Sequence, residues 1–262
     1  MEVVILADDD AVGEAAAAKI AQIVDTTGPG VVLGLATGSS PGAAYRALAR
    51  RVDSGTLDLT SASAFALDEY VGLPPGHPQS YRAVIDRDAT RPLRLSPERV
   101  HTPDGFAPDI PAAAASYEDR IHAAGGVDVQ ILGVGTNGHI GFNEPGSSLG
   151  SRTRIKTLTQ STRHDNRRFF SSLAEVPRHC LTQGLGTIMD ARHVVLLAQG
   201  DAKADAIAQV CEGPITTMCP GSVLQLHERA TVIIDESAAS KLRLAGYYKE
   251  TFAAKPQWQR FL

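Results

Sequence analysis

The chain has 262 residues, 43% of them hydrophobic and 21% charged, with a net charge of −4. That length buries a substantial core in one large or two small domains, and the composition is that of an ordinary globular protein. The negative balance, with no basic run, excludes a track for nucleic-acid phosphates but leaves room for a small anionic substrate in a locally positive pocket.

The opening residues, Met1–Ala7, are too few and too acidic for a signal peptide, since Asp8-Asp9-Asp10 follows at once. Val3–Ala7 reads as a strand and the aspartates as the cap of a helix carrying Val12, Ala16, Ile20 and Ile23. Thr27-Gly28-Pro29-Gly30 ends that helix, and Val31–Leu35 is a second strand. Ala36-Thr37-Gly38-Ser39-Ser40-Pro41 then opens a helix running through Tyr45, Leu48 and Arg51, with proline where its missing N–H costs nothing. Strand, small-residue loop and helix N-terminus together form an anion site, because free amides and the helix dipole face the loop. The loop lacks the lysine of a Walker motif and the GxGxxG of a dinucleotide fold, which argues against a nucleotide.

Ser63–Leu67 predicts a third strand leading into Asp68-Glu69-Tyr70-Val71-Gly72-Leu73-Pro74. Two adjacent acids at a strand end are either a cap, solvated charge, or a shielded base aimed at a substrate carbon. A helix follows near Tyr81–Asp86, then mostly loop from Thr90 to Pro111, and a helix over Ala112–Ala124 stopped by Gly125-Gly126. Val127–Leu132 is a buried strand by its branched apolar run. It breaks into GVGTNGHIGFNEP, residues 133–145, where His139, Asn137, Asn143 and Glu144 sit among glycines. Ligands of open α/β sheets bind just beyond the carboxyl ends of strands, so polar side chains crowded there point to chemistry.

Ser147–Thr162 is the most basic region, with Arg152, Arg154 and Lys156, either a solvated face or a clamp for phosphate. Helical pieces are expected around Arg163–Arg168 and over Leu181–Met189, a strand over His193–Ala198, and a helix over Gly200–Val210 with Lys203 near its start. Val223–His227 is a short element, Thr231–Ile234 a last strand and Glu236–Phe252 a terminal helix. The alternation predicts an α/β fold, a doubly wound and mostly parallel Rossmann-like sheet with helices on both faces. No linker divides the chain, so residues 1–262 read as one domain with a mobile lid segment at about 147–190. Cys180, Cys211 and Cys219 have neither disulfide-framework nor zinc spacing, and no apolar stretch approaches the ~20 residues of a membrane span, which predicts a cytoplasmic protein with no membrane partner.

ATGSSP, LDEYVGLP with HPQSYR, GVGTNGHIGFNEP, SRTRIKTLT and EGPITTMCPGSVLQLH, taken in order, resemble the successive signatures of the glucosamine-6-phosphate deaminase family over nearly the whole chain. The resemblance implies a cofactor-free reaction without metal, in which glucosamine 6-phosphate and water give fructose 6-phosphate and ammonia. It implies that His139 opens the sugar ring with Glu144 and Asn137 as partners, and that Asp68 moves a proton between C2 and C1. Phosphate would sit on Gly38, Ser39 and Ser40 with Arg168 and Lys203. Some members carry aspartate where this chain has Asn137; asparagine can hold His139 by hydrogen bonding but cannot balance an imidazolium charge. Better-studied members can be hexamers activated by N-acetylglucosamine 6-phosphate at a site between subunits, and active members without that regulation keep much of the same segment. The matching residues here are Ser147, Arg152, Arg154, Lys156 and Thr157, with Tyr247 or Tyr248 from the terminal helix. Two other readings stand beside it, a 6-phosphogluconolactonase, which shares the fold and the phosphate loop, and a non-catalytic sugar-phosphate sensor. A 6-phosphogluconolactonase needs no enolising base, and the effector domain of a transcriptional regulator would bring a DNA-binding module that this chain has no segment to supply.

Overall fold

A computed structural model describes residues 1–262, apart from the side chain of Ser161. In chain order its strands are β1 (Glu2–Leu6), β2 (Val32–Leu35), β3 (Ser63–Ala66), β4 (Asp68–Tyr70), β5 (Val100–His101), β6 (Val129–Gly133), β7 (Arg154–Thr157), β8 (His179–Thr182), β9 (His193–Ala198) and β10 (Ala230–Asp235). Its helices are α1 (Asp9–Thr27), α2 (Ser39–Asp53), α3 (Tyr81–Ile85), α4 (Ile110–Ala123), α5 (Gln160–Asn166), α6 (Leu185–Met189), α7 (Ala204–Glu212) and α8 (Ala245–Ala253).

Seven strands form one sheet in the order β1-β10-β9-β6-β2-β3-β5, with every pairing parallel. From β2 the chain winds outward through β3 and β5, returns to β6 on the other side of β2, and winds outward again through β9 and β10. The sheet is therefore doubly wound, with its switch point between β2 and β6. Alternate strand residues face opposite ways. Val4, Leu33, Leu35, Ile131, Val195 and Ile233 pack with α1 and α2 in one core. Val3, Val32, Leu132, Val194, Leu196 and Ile234 pack with α4, α6 and α7 in the other. Asp128 staples the strand starts together, accepting from Val32 N–H at 2.8 Å and pairing with Arg192 at 2.9 Å.

A second sheet, absent from the sequence reading, is small and antiparallel, in the order β4-β8-β7. It places Asp68, Thr182 and Arg154 in one cross-strand row, and Tyr70, Cys180 and Lys156 in the next row but one, on the same face. Tyr70, Phe142, Leu158 and Cys180 form a separate apolar cluster that fastens this sheet to the loop after β6.

Several expected elements differ. The segment read as loop from Thr90 to Pro111 contains β5, an edge strand of two residues, too short for periodicity to register. The helix expected over Leu181–Met189 splits into β8 and α6, because Thr182 and Gln183 are tied to the neighbouring strand and loop. The terminal helix is only Ala245–Ala253; Asp235 first caps the turn that follows β10 by accepting from Ala238 N–H at 2.7 Å. Lys203 lies in a short 3₁₀ turn before α7 rather than inside it, and Arg154–Thr157, in the segment read without regular structure, is β7.

Candidate active site

The loop after β6 is built by its own polar groups. Gly135 N–H reaches the His139 carbonyl at 2.9 Å, and Asn143 Nδ2 donates to the carbonyls of Ile140 and Gln183 at 3.0 and 2.8 Å. Asn143 is thus a structural amide. Two glycines are indispensable. A Cβ on Gly135 would lie 2.2 Å from the His139 ring, so the imidazole lies against bare backbone there. Gly141 has φ +54°, and a Cβ on it would meet Thr182 Oγ1 at 3.0 Å and stand 3.7 Å from Asp68 Oδ2. The loop after β6 and the Asp68 carboxylate are therefore neighbours, although 70 residues part them in the chain.

Asn137, His139 and Glu144 converge. Asn137 Nδ2 donates to Glu144 Oε2 at 2.8 Å, and its Oδ1 accepts from the His139 backbone N–H at 3.2 Å. His139 Nδ1 stands 3.6 Å from Glu144 Oε2. Asn137 thus braces the main chain under His139 and the carboxylate beside it, while the carboxylate faces the ring. Burial pushes the Glu144 carboxyl up, but the nearby His139, the Thr162 hydroxyl and Asn137 outweigh it and hold the group at about 2. Glu144 is therefore the anion that would balance an imidazolium. The Thr162 hydroxyl, which donates to Glu144 Oε1, escaped the sequence reading. Its one local signal, the Thr159-x-x-Thr162 spacing of a helix cap, says nothing of a partner eighteen positions back.

The two adjacent acids divide their duties. Glu69 accepts from the backbone N–H groups of Tyr70, Tyr81 and Arg82 at 2.8, 2.8 and 2.9 Å, closing the start of α3. Asp68 is buried at 7% exposure. Burial first and the Glu69 charge second raise its carboxyl well above the usual range. A carboxylate so destabilised is a stronger base than a solvated one.

The anion loop stands where the strand order reverses. Gly38 precedes α2 without a side-chain cap, leaving the first amides of a fifteen-residue helix free, beside Ser39 and Ser40. Tyr45 OH pins the loop's start, bonding both N–H and C=O of Ala36 at 3.0 and 2.9 Å. Lys203 follows the same edge of the sheet, after β9, two strands from β2 and so about 10 Å along it. Burial lowers the Lys203 ammonium, with Asp165 opposing and Arg168 reinforcing that shift. Arg168 and Lys203 thus share one neighbourhood, though 35 positions separate them.

Among the residues expected to bind an activator, Arg152 is already paired with Glu118 at 2.8 Å and Asp190 at 2.6 Å. Arg154 is half-buried and donates to the Arg152 carbonyl at 3.2 Å. Arg154 and Lys156 occupy the half-buried face of β7, with Ile155 and Thr157 on the exposed face. Ser147 is buried with its hydroxyl unpartnered.

Residues 7–233 match the family of glucosamine-6-phosphate isomerases and 6-phosphogluconolactonase. A glucosamine-6-phosphate deaminase of Arthrobacter sp. (strain FB24) is 59% identical over 259 residues, 99% of each chain. Another, from Mycolicibacterium smegmatis, is 55% identical over 260 residues with the same coverage. A solved structure described as a monomeric glucosamine-6-phosphate deaminase superposes with a TM-score of 0.89 at 38% identity, covering 92% of this chain and 100% of its own. The 6-phosphogluconolactonase of Trypanosoma brucei reaches 0.74 at 20% identity, covering 92% of this chain and 98% of its own, which is a likeness of fold.

Proposed function

The chain belongs to the family of glucosamine-6-phosphate isomerases and 6-phosphogluconolactonases, and from that premise we propose that it converts glucosamine 6-phosphate and water into fructose 6-phosphate and ammonia. The observation that carries this reading is the buried, strongly basic Asp68 facing the His139–Glu144 loop beside an anion-binding helix start. A lactone hydrolysis has no use for a base aimed at a carbon, whereas an aldose–ketose shift does.

Ring opening comes first: His139 handles the proton between the anomeric hydroxyl and the ring oxygen, while Glu144 steadies the imidazolium. Asn137 holds both in place. Asp68 then removes the proton at C2 of the open chain and returns one to C1, leaving an imine at C2. Water adds to that carbon and ammonia departs. Gly38, Ser39 and Ser40 hold the phosphate with Arg168 and Lys203, the arginine by its fork and the lysine as a point charge.

We also assign Arg154 and Lys156, with Ser147 and Thr157, to an activating sugar phosphate such as N-acetylglucosamine 6-phosphate, supported by their cluster on β7. Arg152 acts there as a brace, since two carboxylates hold it. Self-association is a further proposal, resting on the exposed apolar side chains of Ile215, Met218 and Leu226, and its test is the mass in solution, a monomeric mass overturning it. The segment 147–190 is assigned as a lid because it bears both Thr162, on Glu144, and Arg168. No helix is long and apolar enough to cross a membrane among the described residues, and the proposed site of action is the cytoplasm. The deciding experiment supplies glucosamine 6-phosphate and 6-phosphogluconolactone separately. Ammonia from the first, with no acceleration of the second, is expected; the reverse overturns the assignment.

A further inference from the structure

Thr162 stands at the crossing of two parts of the site that the reaction uses separately. Its hydroxyl donates to Glu144 Oε1, the oxygen that Asn137 does not use. The same hydroxyl accepts from Thr159 Oγ1 at 3.0 Å, and a hydroxyl has one proton to give, so that proton is committed to Glu144. Thr159 in turn caps α5, accepting from Thr162 N–H at 3.1 Å. Asn166 Nδ2 bonds the Thr162 carbonyl at 3.0 Å across the helix, and Arg163 anchors its outer side on the carbonyls of Leu173 and Val176 at 2.7 and 2.9 Å. The helix therefore holds Thr162 without help from Glu144.

From Thr162 the same helix runs to Asp165, whose charge reaches Lys203, and passes directly into the turn that carries Arg168. One end of this short piece touches the carboxylate behind His139, and the other carries Arg168, one of the two cations assigned to the phosphate. Resting on the deaminase reading above, we propose that Thr162 is the positioning residue of the ring-opening pair. It fixes the Glu144 carboxylate behind His139 and ties its placement to the helix that brings Arg168 to the phosphate.

A methyl in place of the hydroxyl keeps the shape of the side chain and removes its proton. Thr162→Val should lower kcat on cyclic glucosamine 6-phosphate about ten-fold or more, since a hydrogen bond to a charged group is among the strong ones. KM should change little, because Thr162 is not a phosphate ligand. An open-chain analogue, which bypasses ring opening, should be turned over almost as by wild type. Thr162→Ser, which restores the donor, should recover most of the loss.

A second readout does not depend on turnover. The titratable groups around Glu144 are His139 on its own loop and Cys180 on β8. With a donor lost, the Glu144 carboxyl must protonate at higher pH than in wild type, and carboxyl carbon NMR, assigned through Glu144→Gln, measures that directly. Thr162→Ala is a second hydroxyl-free variant should valine not fold. Coincident Glu144 titrations in wild type and the hydroxyl-free variant overturn the proposal. So does a serine variant as impaired as valine, which would mark a packing role, or a wild-type Glu144 titrating in the ordinary carboxylate range. Wild type that releases no ammonia would sink the deaminase reading instead, and the Glu144 titrations would still decide the contact.

Discussion

Asp68 and Glu69 show how two identical charges, one residue apart, part company through their surroundings. Glu69 has three backbone donors, whereas Asp68 is buried beside the Glu69 charge. Asp68→Asn should abolish ammonia release while leaving sugar-phosphate binding intact, because an amide cannot accept the carbon-bound proton. Linkage predicts the sign of its effect on stability. The native pKa of Asp68 lies above its unfolded value, so the native state binds more protons between the two, and stability falls as pH rises through that window. The asparagine variant escapes this cost. It should melt a few degrees above wild type at pH 7, with the gap closing as pH approaches 4. Equal melting temperatures across that range would contradict the burial of a charged Asp68. Glu69→Ala should behave oppositely. It strips α3 of its acceptor, costs on the order of 3 kcal/mol in chemical denaturation, and leaves measurable turnover in the folded fraction. The sequence showed both acids at a strand end but could not say which would find donors, because Tyr81 and Arg82 approach only through the fold.

At the scale of elements, the legible parts were those with unbroken apolar runs. Strands β2, β6, β9 and β10 carry buried apolar runs that tertiary contacts reinforce, and each was readable to within a residue or two. The illegible part was the antiparallel sheet, whose strands of three or four residues carry Asp68, Thr182 and Arg154 instead of a periodic apolar pattern. That sheet gives the proposed activator residues a material connection to the base. Arg154 lies two strands from Asp68 in one row, so a ligand that shifted β7 would shift a neighbour of the proposed base. Arg154→Ala should therefore remove any response of half-saturation to N-acetylglucosamine 6-phosphate, while sparing turnover at saturating substrate. A coupling of about 1–3 kcal/mol sets the size of the lost effect at roughly 5–150-fold. Saturation curves with and without the acetylated sugar phosphate check it. A wild-type curve that ignores that ligand ends the idea, and a loss of substrate affinity irrespective of the ligand would make Arg154 a substrate clamp.

For the molecule as a whole, the decisive arrangement is that the loops after β2, β3, β6 and β9 all open on one edge of a parallel sheet whose winding reverses between β2 and β6. Sequence alternation made that edge foreseeable, and with it the place of Gly38–Ser40, Asp68 and His139. Nothing local could have brought Arg168 next to Lys203, because long connections decide that proximity. The protein carries a net charge of −4, so in the proposed site the attraction of a phosphate dianion rests on these cations and the α2 amides against the overall field. Solvent reaches this site, and exposed charges are screened within about 10 Å at 0.1 M salt but only within about 30 Å at 0.01 M. KM for glucosamine 6-phosphate should therefore climb several-fold between those salt concentrations and beyond, with kcat nearly level, because Asp68, the proposed base, is buried. Lys203→Met keeps the side chain's length and removes its charge. That variant should raise KM about ten-fold or more at low salt and flatten the dependence on salt, since one of its sources is gone. Substrate saturation at fixed pH, kept well above the second phosphate ionisation near 6, separates this from a change in substrate charge. A Lys203→Met enzyme with the wild-type salt slope would mean that the phosphate is held by the helix amides and Arg168 alone.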